Sequence, residues 1–207
     1  MKIEQILEQA SVIPVLEVAD IEAAAPLAEA LGRGGLRVIE MTMRTLAAAD
    51  VLTKMKRAAP DLIIGMGTIR TSSDIERSKE SGADFLVSPG AGPMLLGAIA
   101  ECGLPALPGV ATASEAMTVW EAGFKAMKFF PAEPAGGISY LKSLAGPLPD
   151  IVFCPTGGIS AERAPDYLAL SNVACVGGSW IASKDMIAKG DWKTIEENAR
   201  RASSMKG

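Results

Sequence analysis

The stretch Ala126-Met127-Lys128-Phe129-Phe130-Pro131 places one lysine in the middle of an apolar run. On a strand, side chains alternate between faces, so Met127 and Phe129 share one side and Lys128 and Phe130 the other. A lysine among apolar groups is costly as a cation, and desolvation favours the neutral amine. A neutral amine attacks carbonyl carbon and can form a Schiff base. The plainer reading is a lysine paired with a structural carboxylate, or one at a strand end whose ammonium reaches water.

A second run, Val38-Ile39-Glu40-Met41-Thr42-Met43-Arg44-Thr45, alternates clearly. Ile39, Met41 and Met43 fit a face turned to helices, while Val38, Glu40, Thr42 and Arg44 fit an interior face. Polar groups pointing inward are expensive unless paired or used on a ligand. Either a Glu40–Arg44 or Glu40–Lys128 structural ion pair, or a site, accounts for them. The run Ile63-Ile64-Gly65-Met66-Gly67-Thr68 ends in a hydroxyl after two glycines, which leave room for a ligand or for bulky neighbours. Ser88-Pro89-Gly90 and Pro108-Gly109-Val110 close two further runs. Thr156-Gly157-Gly158-Ile159-Ser160 and Gly177-Gly178-Ser179-Trp180 close the last two. Glycine-rich turns after successive strands let backbone N–H groups converge on an oxyanion, so these two turns read as a phosphate site.

Composition narrows the chemistry. The chain has no histidine, which removes a Ser-His-Asp triad, a Cys-His pair and any His-ligated metal. Proton transfer then falls to carboxylate, lysine, tyrosine or cysteine. Cys102, Cys154 and Cys175 are far apart, lack metal or redox spacing, and read as reduced, mostly buried small hydrophobes. A net charge of −4 without a basic block argues against nucleic acid or an anionic membrane as partner. The first residues mix charge with apolar side chains and resemble no signal peptide, and no apolar run is long enough to span a bilayer. A soluble cytoplasmic protein is expected.

The elements that must position these residues recur with a steady beat. Apolar runs start near Val12, Val38, Leu62, Phe85, Ala106, Ala126, Ile151 and Ala174, and helix-favouring segments such as Ile21 to Leu31 and Leu46 to Ala58 lie between them. Ser73-Asp74-Ile75-Glu76 and Thr112-Ala113-Ser114-Glu115 fit capping boxes, and Gly34-Gly35, Gly82, Gly103 and Gly123 fall where helix C-caps need them. Eight such units predict a (β/α)8 TIM barrel forming one domain over residues 1–207, with an extra N-terminal helix over residues 2–10 at the N-terminal mouth. An open doubly wound sheet is the alternative. The chain lacks a G-x-G-x-x-G after its first strand, which weighs against that fold.

Taken together, Glu40-Met41-Thr42-Met43-Arg44-Thr45, Gly65-Met66-Gly67-Thr68, Ser88-Pro89-Gly90, Lys128-Phe129-Phe130-Pro131-Ala132-Glu133, Phe153-Cys154-Pro155-Thr156-Gly157-Gly158-Ile159 and Gly177-Gly178-Ser179-Trp180 resemble the bacterial 2-keto-3-deoxy-6-phosphogluconate (KDPG) and 4-hydroxy-2-oxoglutarate aldolase family. The resemblance runs over nearly the whole chain. Met43 and Met66 depart mildly from it. It implies a class I, Schiff-base lyase without metal or cofactor. Such an enzyme cleaves KDPG to pyruvate and glyceraldehyde 3-phosphate, the Entner–Doudoroff reaction. Carried onto this chain, Lys128 is the Schiff-base lysine and Glu40 the general acid and base. Arg44 and Thr68 hold the pyruvyl carboxylate, and Pro89 and Phe130 line the pocket. Thr156 contacts the substrate beyond the cleaved bond, and Gly157, Gly158 and Ser179 hold the phosphate. The family's usual assembly is a homotrimer, and some members also cleave 4-hydroxy-2-oxoglutarate.

Three other readings stay open at this level. The chain could act on the galacto epimer of KDPG. It could be a phosphosugar isomerase or epimerase, which would keep Glu40 and the phosphate turns without needing the lysine. It could be a binding protein for a phosphorylated metabolite. Glu133, past Pro131, competes with Glu40 for the role of base.

Overall fold

The computed structural model describes residues 1–205; Lys206 and Gly207, the end of the expected domain, lie outside the described residues. A short helix α1 (Ile3–Leu7) precedes strand β1 (Val12–Leu16). Strand and helix then alternate: α2 (Ala24–Arg33), β2 (Val38–Thr42), α3 (Ala48–Ala58), β3 (Ile63–Gly67), α4 (Ser72–Glu80), β4 (Phe85–Val87) and α5 (Pro93–Glu101). Next come β5 (Ala106–Leu107), β6 (Gly109–Val110), α6 (Ala113–Glu121), β7 (Ala126–Phe129), α7 (Gly137–Leu144), β8 (Val152–Pro155), α8 (Ala164–Leu168) and β9 (Val176–Gly178). Helices α9 (Lys184–Lys189) and α10 (Trp192–Ser203) end the described chain. The strands begin within two residues of the positions read from the sequence.

All the strand pairs are parallel. A curled sheet of six runs in the order β5-β4-β3-β2-β1-β9, and a second sheet of three runs β6-β7-β8. The last strand lies beside the first, and there is no reversal of strand order. That order excludes the doubly wound alternative, whose sheet reverses at a switch point. Single bridges, Phe153 to Val173 and Thr156 to Gly177, connect β8 to the β9 side. Between β5 and β6 stands Pro108, which has no N–H to give to a ladder. Its carbonyl still accepts from Lys128 N–H at 2.9 Å, and Gly109 N–H donates to Ser88 Oγ at 3.2 Å.

Alternation sorts the core into two clusters. Outward side chains such as Ile39, Met41, Met127 and Phe129 pack with the apolar faces of the helices, including Leu27 and Leu31 of α2 and Val51, Leu52 and Met55 of α3. Burying one such side chain contributes about 1.5–3 kcal/mol. Inward side chains at the strand starts form the other cluster: Ile13, Val38, Phe85, Ala126, Cys154 and Cys175, with Ile3, Ile6, Leu7 and Ala10 from α1 and its exit. The N-terminal helix therefore fills the strand-start end of the interior. Cys102 is half-buried.

Helix ends follow the predicted chemistry with one shift. The box at Thr112 and Glu115 forms as read, each residue's backbone N–H donating to the other's side chain. For α4 the box is Thr71 with Asp74, two residues before the predicted Ser73 frame. Both frames satisfy the pattern. The earlier one wins because β3 and its continuation deliver the chain to the helix at Thr71, with Ile69 N–H still bonded to Val87 O at 3.1 Å. Gly35, Gly82, Gly103 and Gly123 all have positive φ at helix exits.

Candidate active site

β7 and β2 stand on different parts of the wall and project one charged side chain each into the interior. Lys128 is paired in register with Gly109 of β6 and Cys154 of β8; Glu40 is paired with Val15 of β1 and Gly65 of β3. Both side chains are about 95% buried. Lys128 Nζ donates to Glu40 Oε1 at 2.9 Å and lies 3.3 Å from Oε2. The amine also sits 5.2 Å from the centre of the Phe130 ring, a cation–π distance. The lysine is therefore not isolated among apolar groups. Its partner is a carboxylate brought from 88 residues away.

Gly65 and Gly67 explain how that carboxylate is seated. A Cβ on Gly65 would collide with the Phe85 ring, and one on Gly67 would collide with the Glu40 carboxylate. Their missing side chains make room for bulky neighbours, one of the two uses the sequence allowed. Thr68, next along, is the one non-glycine residue with positive φ among the described residues, at 65°. For a β-branched residue this conformation costs about 1–3 kcal/mol and is concentrated at functional sites. Thr42 turns inward as expected, but its hydroxyl donates to Leu16 O at 2.7 Å and ties β2 to β1.

Lys128 opens to a cleft of about 120 Å³ lined by Val15, Arg44, Phe130, Thr156, Gly157, Gly158, Ile159, Gly177 and Ser179. The structure thus gathers seven of the ten predicted positions around one space: Lys128, Arg44, Phe130, Thr156, Gly157, Gly158 and Ser179. Glu40 reaches it through Lys128. Thr68 and Pro89 end β3 and β4 outside the cleft lining, both half-buried. Arg44 is less interior than its alternation implied. It lies past the end of β2, its side chain is 47% exposed, and its Nη1 is 3.8 Å from Glu17 Oε2. Gly157 and Gly158 have φ of 106° and 81°, values that turn the backbone in a way side-chain-bearing residues resist.

The chain matches the family described as KDPG and KHG aldolase over residues 3–198. It is 44% identical over 199 residues to the 2-dehydro-3-deoxy-phosphogluconate aldolase of Pseudoalteromonas atlantica, covering 96% of this chain and 93% of that one. It is 43% identical to the KHG/KDPG aldolase of Escherichia coli with the same coverage. The chain belongs to the KDPG and KHG aldolase family. Among solved structures, the KDPG aldolase of Legionella pneumophila superposes with a TM-score of 0.96 at 42% identity, covering 99% of each chain. That structure holds pyruvate captured at low pH as a covalent carbinolamine intermediate.

Two neighbours of the site in this aldolase-family chain escaped the reading of the sequence. Glu17 stands just beyond β1 and binds Lys184 Nζ through Oε1 at 2.5 Å while Oε2 faces Arg44. The signal was there: asking which polar residue follows each apolar run, applied to the first run, finds Glu17. Lys184 begins α9 and had no such mark. Glu133, the competing base, has its carboxylate turned elsewhere. Its Oε1 accepts from Tyr167 O–H at 2.6 Å and lies 3.4 Å from Arg163 Nη2. Burial, and then the Glu133 carboxylate, push the Tyr167 hydroxyl above its ordinary pKa, so it stays a donor. No helix among the described residues is long and apolar enough to cross a membrane.

Proposed function

We propose that this chain is a class I aldolase that cleaves KDPG to pyruvate and glyceraldehyde 3-phosphate through a Schiff base at Lys128. One observation carries the reading. A carbinolamine is the adduct of an amine with a ketone, and a 42%-identical relative holds pyruvate in that form. Lys128 is the only buried lysine among the described residues, and it opens to a cleft.

The proposed reaction starts from the Lys128–Glu40 pair. Glu40, 2.9 Å from Nζ, is placed to take the ammonium proton. The free amine adds to the C2 ketone, Glu40 gives its proton back to the departing hydroxyl, and loss of water leaves an iminium beside an ionised Glu40. Glu40 then removes the proton of the C4 hydroxyl. The C3–C4 bond breaks, its electron pair passes into the iminium to leave an enamine, and the phosphorylated aldehyde departs. Glu40 returns the proton to C3, and water hydrolyses the imine to pyruvate and free lysine. The iminium is the electron sink, so the bond cleavage itself needs no metal. Arg44 offers a planar fork to the keto acid's carboxylate, and Thr68 shares that role. Pro89 and Phe130 flank the pyruvyl part, and Thr156 meets the part beyond the cleaved bond. Gly157, Gly158 and Ser179 receive the phosphate.

Closure of the wall as a (β/α)8 barrel of one domain belongs to the same proposal. In it β5 and β6 are one strand interrupted at Pro108, and β8 and β9 are neighbours joined by the Thr156–Gly177 bridge. A homotrimer is the assembly that the resemblance implies, and a cytoplasmic location is the one expected from the sequence. A solution mass of one or two chains by light scattering would overturn the trimer.

The deciding assay measures pyruvate release from KDPG, its galacto epimer and 4-hydroxy-2-oxoglutarate with purified chain. Release from KDPG, faster than from the epimer, is expected; no release from KDPG sinks the proposal. A finer prediction concerns the phosphate. Ser179→Ala should cost about 1–2 kcal/mol in kcat/KM for KDPG, with little change for unphosphorylated 4-hydroxy-2-oxoglutarate. An equal loss on both substrates would move Ser179 away from the phosphate.

A further inference from the structure

Glu133 is a partly buried carboxylate that the reaction steps leave unused. It lies on the loop that follows β7, directly against the Gly157–Gly158 turn. Its backbone N–H donates to Gly157 O at 3.0 Å, and the neighbouring Ala132 N–H donates to Thr156 O at 2.8 Å. The Cβ and Cγ of Glu133 fill the space that a side chain on Gly158 would occupy. Its carboxylate reaches across to Tyr167 O–H, inside α8 and fully buried, at 2.6 Å, and to Arg163 just before α8 at 3.4 Å. The turn is therefore held on both sides. Its entry is bonded to the backbone of the Glu133 loop, and the helix that follows its exit is bonded to the Glu133 side chain.

We infer that Glu133 is a positioning residue that fixes the Gly157–Gly158 turn for the substrate's phosphate. Its backbone bonds and its carboxylate bond to Tyr167 act together as a brace. The two glycines present backbone N–H groups in an order set by positive φ, and glycine has no side chain to hold that shape. A neighbour must supply the rigidity that a preformed anion site needs. Glu133 does so from the loop that directly follows β7, the strand that carries Lys128. This inference rests on the proposed assignment of the turn to phosphate.

The test separates positioning from proton transfer. Glu133→Ala should raise KM for KDPG on the order of tenfold. It should leave KM for 4-hydroxy-2-oxoglutarate within about twofold, because that substrate has no phosphate to misplace. Exchange of pyruvate methyl protons with deuterated solvent, which needs no phosphate, should stay at the wild-type rate. Glu133→Gln keeps an acceptor for Tyr167 and should stay near wild type on all three measures. If Glu133→Ala fails to fold, Tyr167→Phe removes only the brace's hydrogen bond and should raise KM for KDPG alone, by a smaller factor. A collapse of proton exchange would make Glu133 the base and overturn the inference. An equal rise in KM for both substrates would overturn it too. Were KDPG not cleaved at all, calorimetric binding of inorganic phosphate would still decide: weaker binding in Glu133→Ala supports the brace, and unchanged binding ends it.

Discussion

Lys128→Ala will not be trapped by borohydride in the presence of pyruvate, whereas the unaltered chain gains one pyruvyl mass at Lys128. Its turnover of KDPG and its exchange of pyruvate methyl protons will both fall to background. Without the amine no iminium forms, and without the iminium neither the C3–C4 bond nor the methyl group is acidified. The same substitution leaves Glu40 buried without its partner, which costs about 3–5 kcal/mol for a broken buried pair. The variant should therefore melt earlier, and circular dichroism must confirm that it is folded when assayed. Intact mass after reduction, followed by peptide mapping, checks the site. A label on Lys125 or Lys142 would remove the centre of the proposed mechanism.

Glu40→Gln should separate the two functions. The amide is nearly isosteric and can still hydrogen-bond Lys128, but it cannot take up and return a proton at neutral pH. Pyruvate should still be trapped at Lys128, but more slowly, because the amide does not take the ammonium proton. Methyl proton exchange, followed by loss of the pyruvate NMR signal in deuterated water, should fall by about 10²–10⁴-fold, the range for a lost general base. Exchange at the wild-type rate would mean that another group moves the proton. Loss of trapping altogether would mean that imine formation depends wholly on Glu40, and the two functions would not separate. At 2.9 Å from Nζ, Glu40 could affect both steps, so the two readouts must be taken on the same preparation.

Period and alternation made much of this legible. Strand starts, the helix-facing set Ile39, Met41 and Met127, and the inward set Glu40 and Lys128 all follow from where a side chain falls on a pleated strand. Pairing across the interior does not follow. Alternation tells which way Lys128 points, but the carboxylate that meets it depends on strand order, stagger and curl, which are properties of the assembled wall. Arg44 lines the cleft but is more exposed than alternation implies, for a related reason: its residue number continues the alternation of β2, while the strand itself stops at Thr42. The cap of α4 was ambiguous because two overlapping frames fit the same chemistry, and the chain's path off β3 chose between them. Sequence sets Glu133 past Pro131 but does not give its partner. Its partner Tyr167 is 34 residues on, and nothing local announces that contact.

The plug of side chains from α1 makes the interior a blind alley. Whatever reaches Lys128 comes in from the opposite end of the strands and must leave the same way. In the proposed reaction the fragment bonded to Lys128 is the inner one, and the phosphorylated aldehyde stands between it and the exit. Departure is then a queue: the aldehyde first, pyruvate second. In the synthetic direction pyruvate must be seated before the aldehyde arrives. The order of events is fixed by which end of the wall is stoppered, before any rate constant is considered.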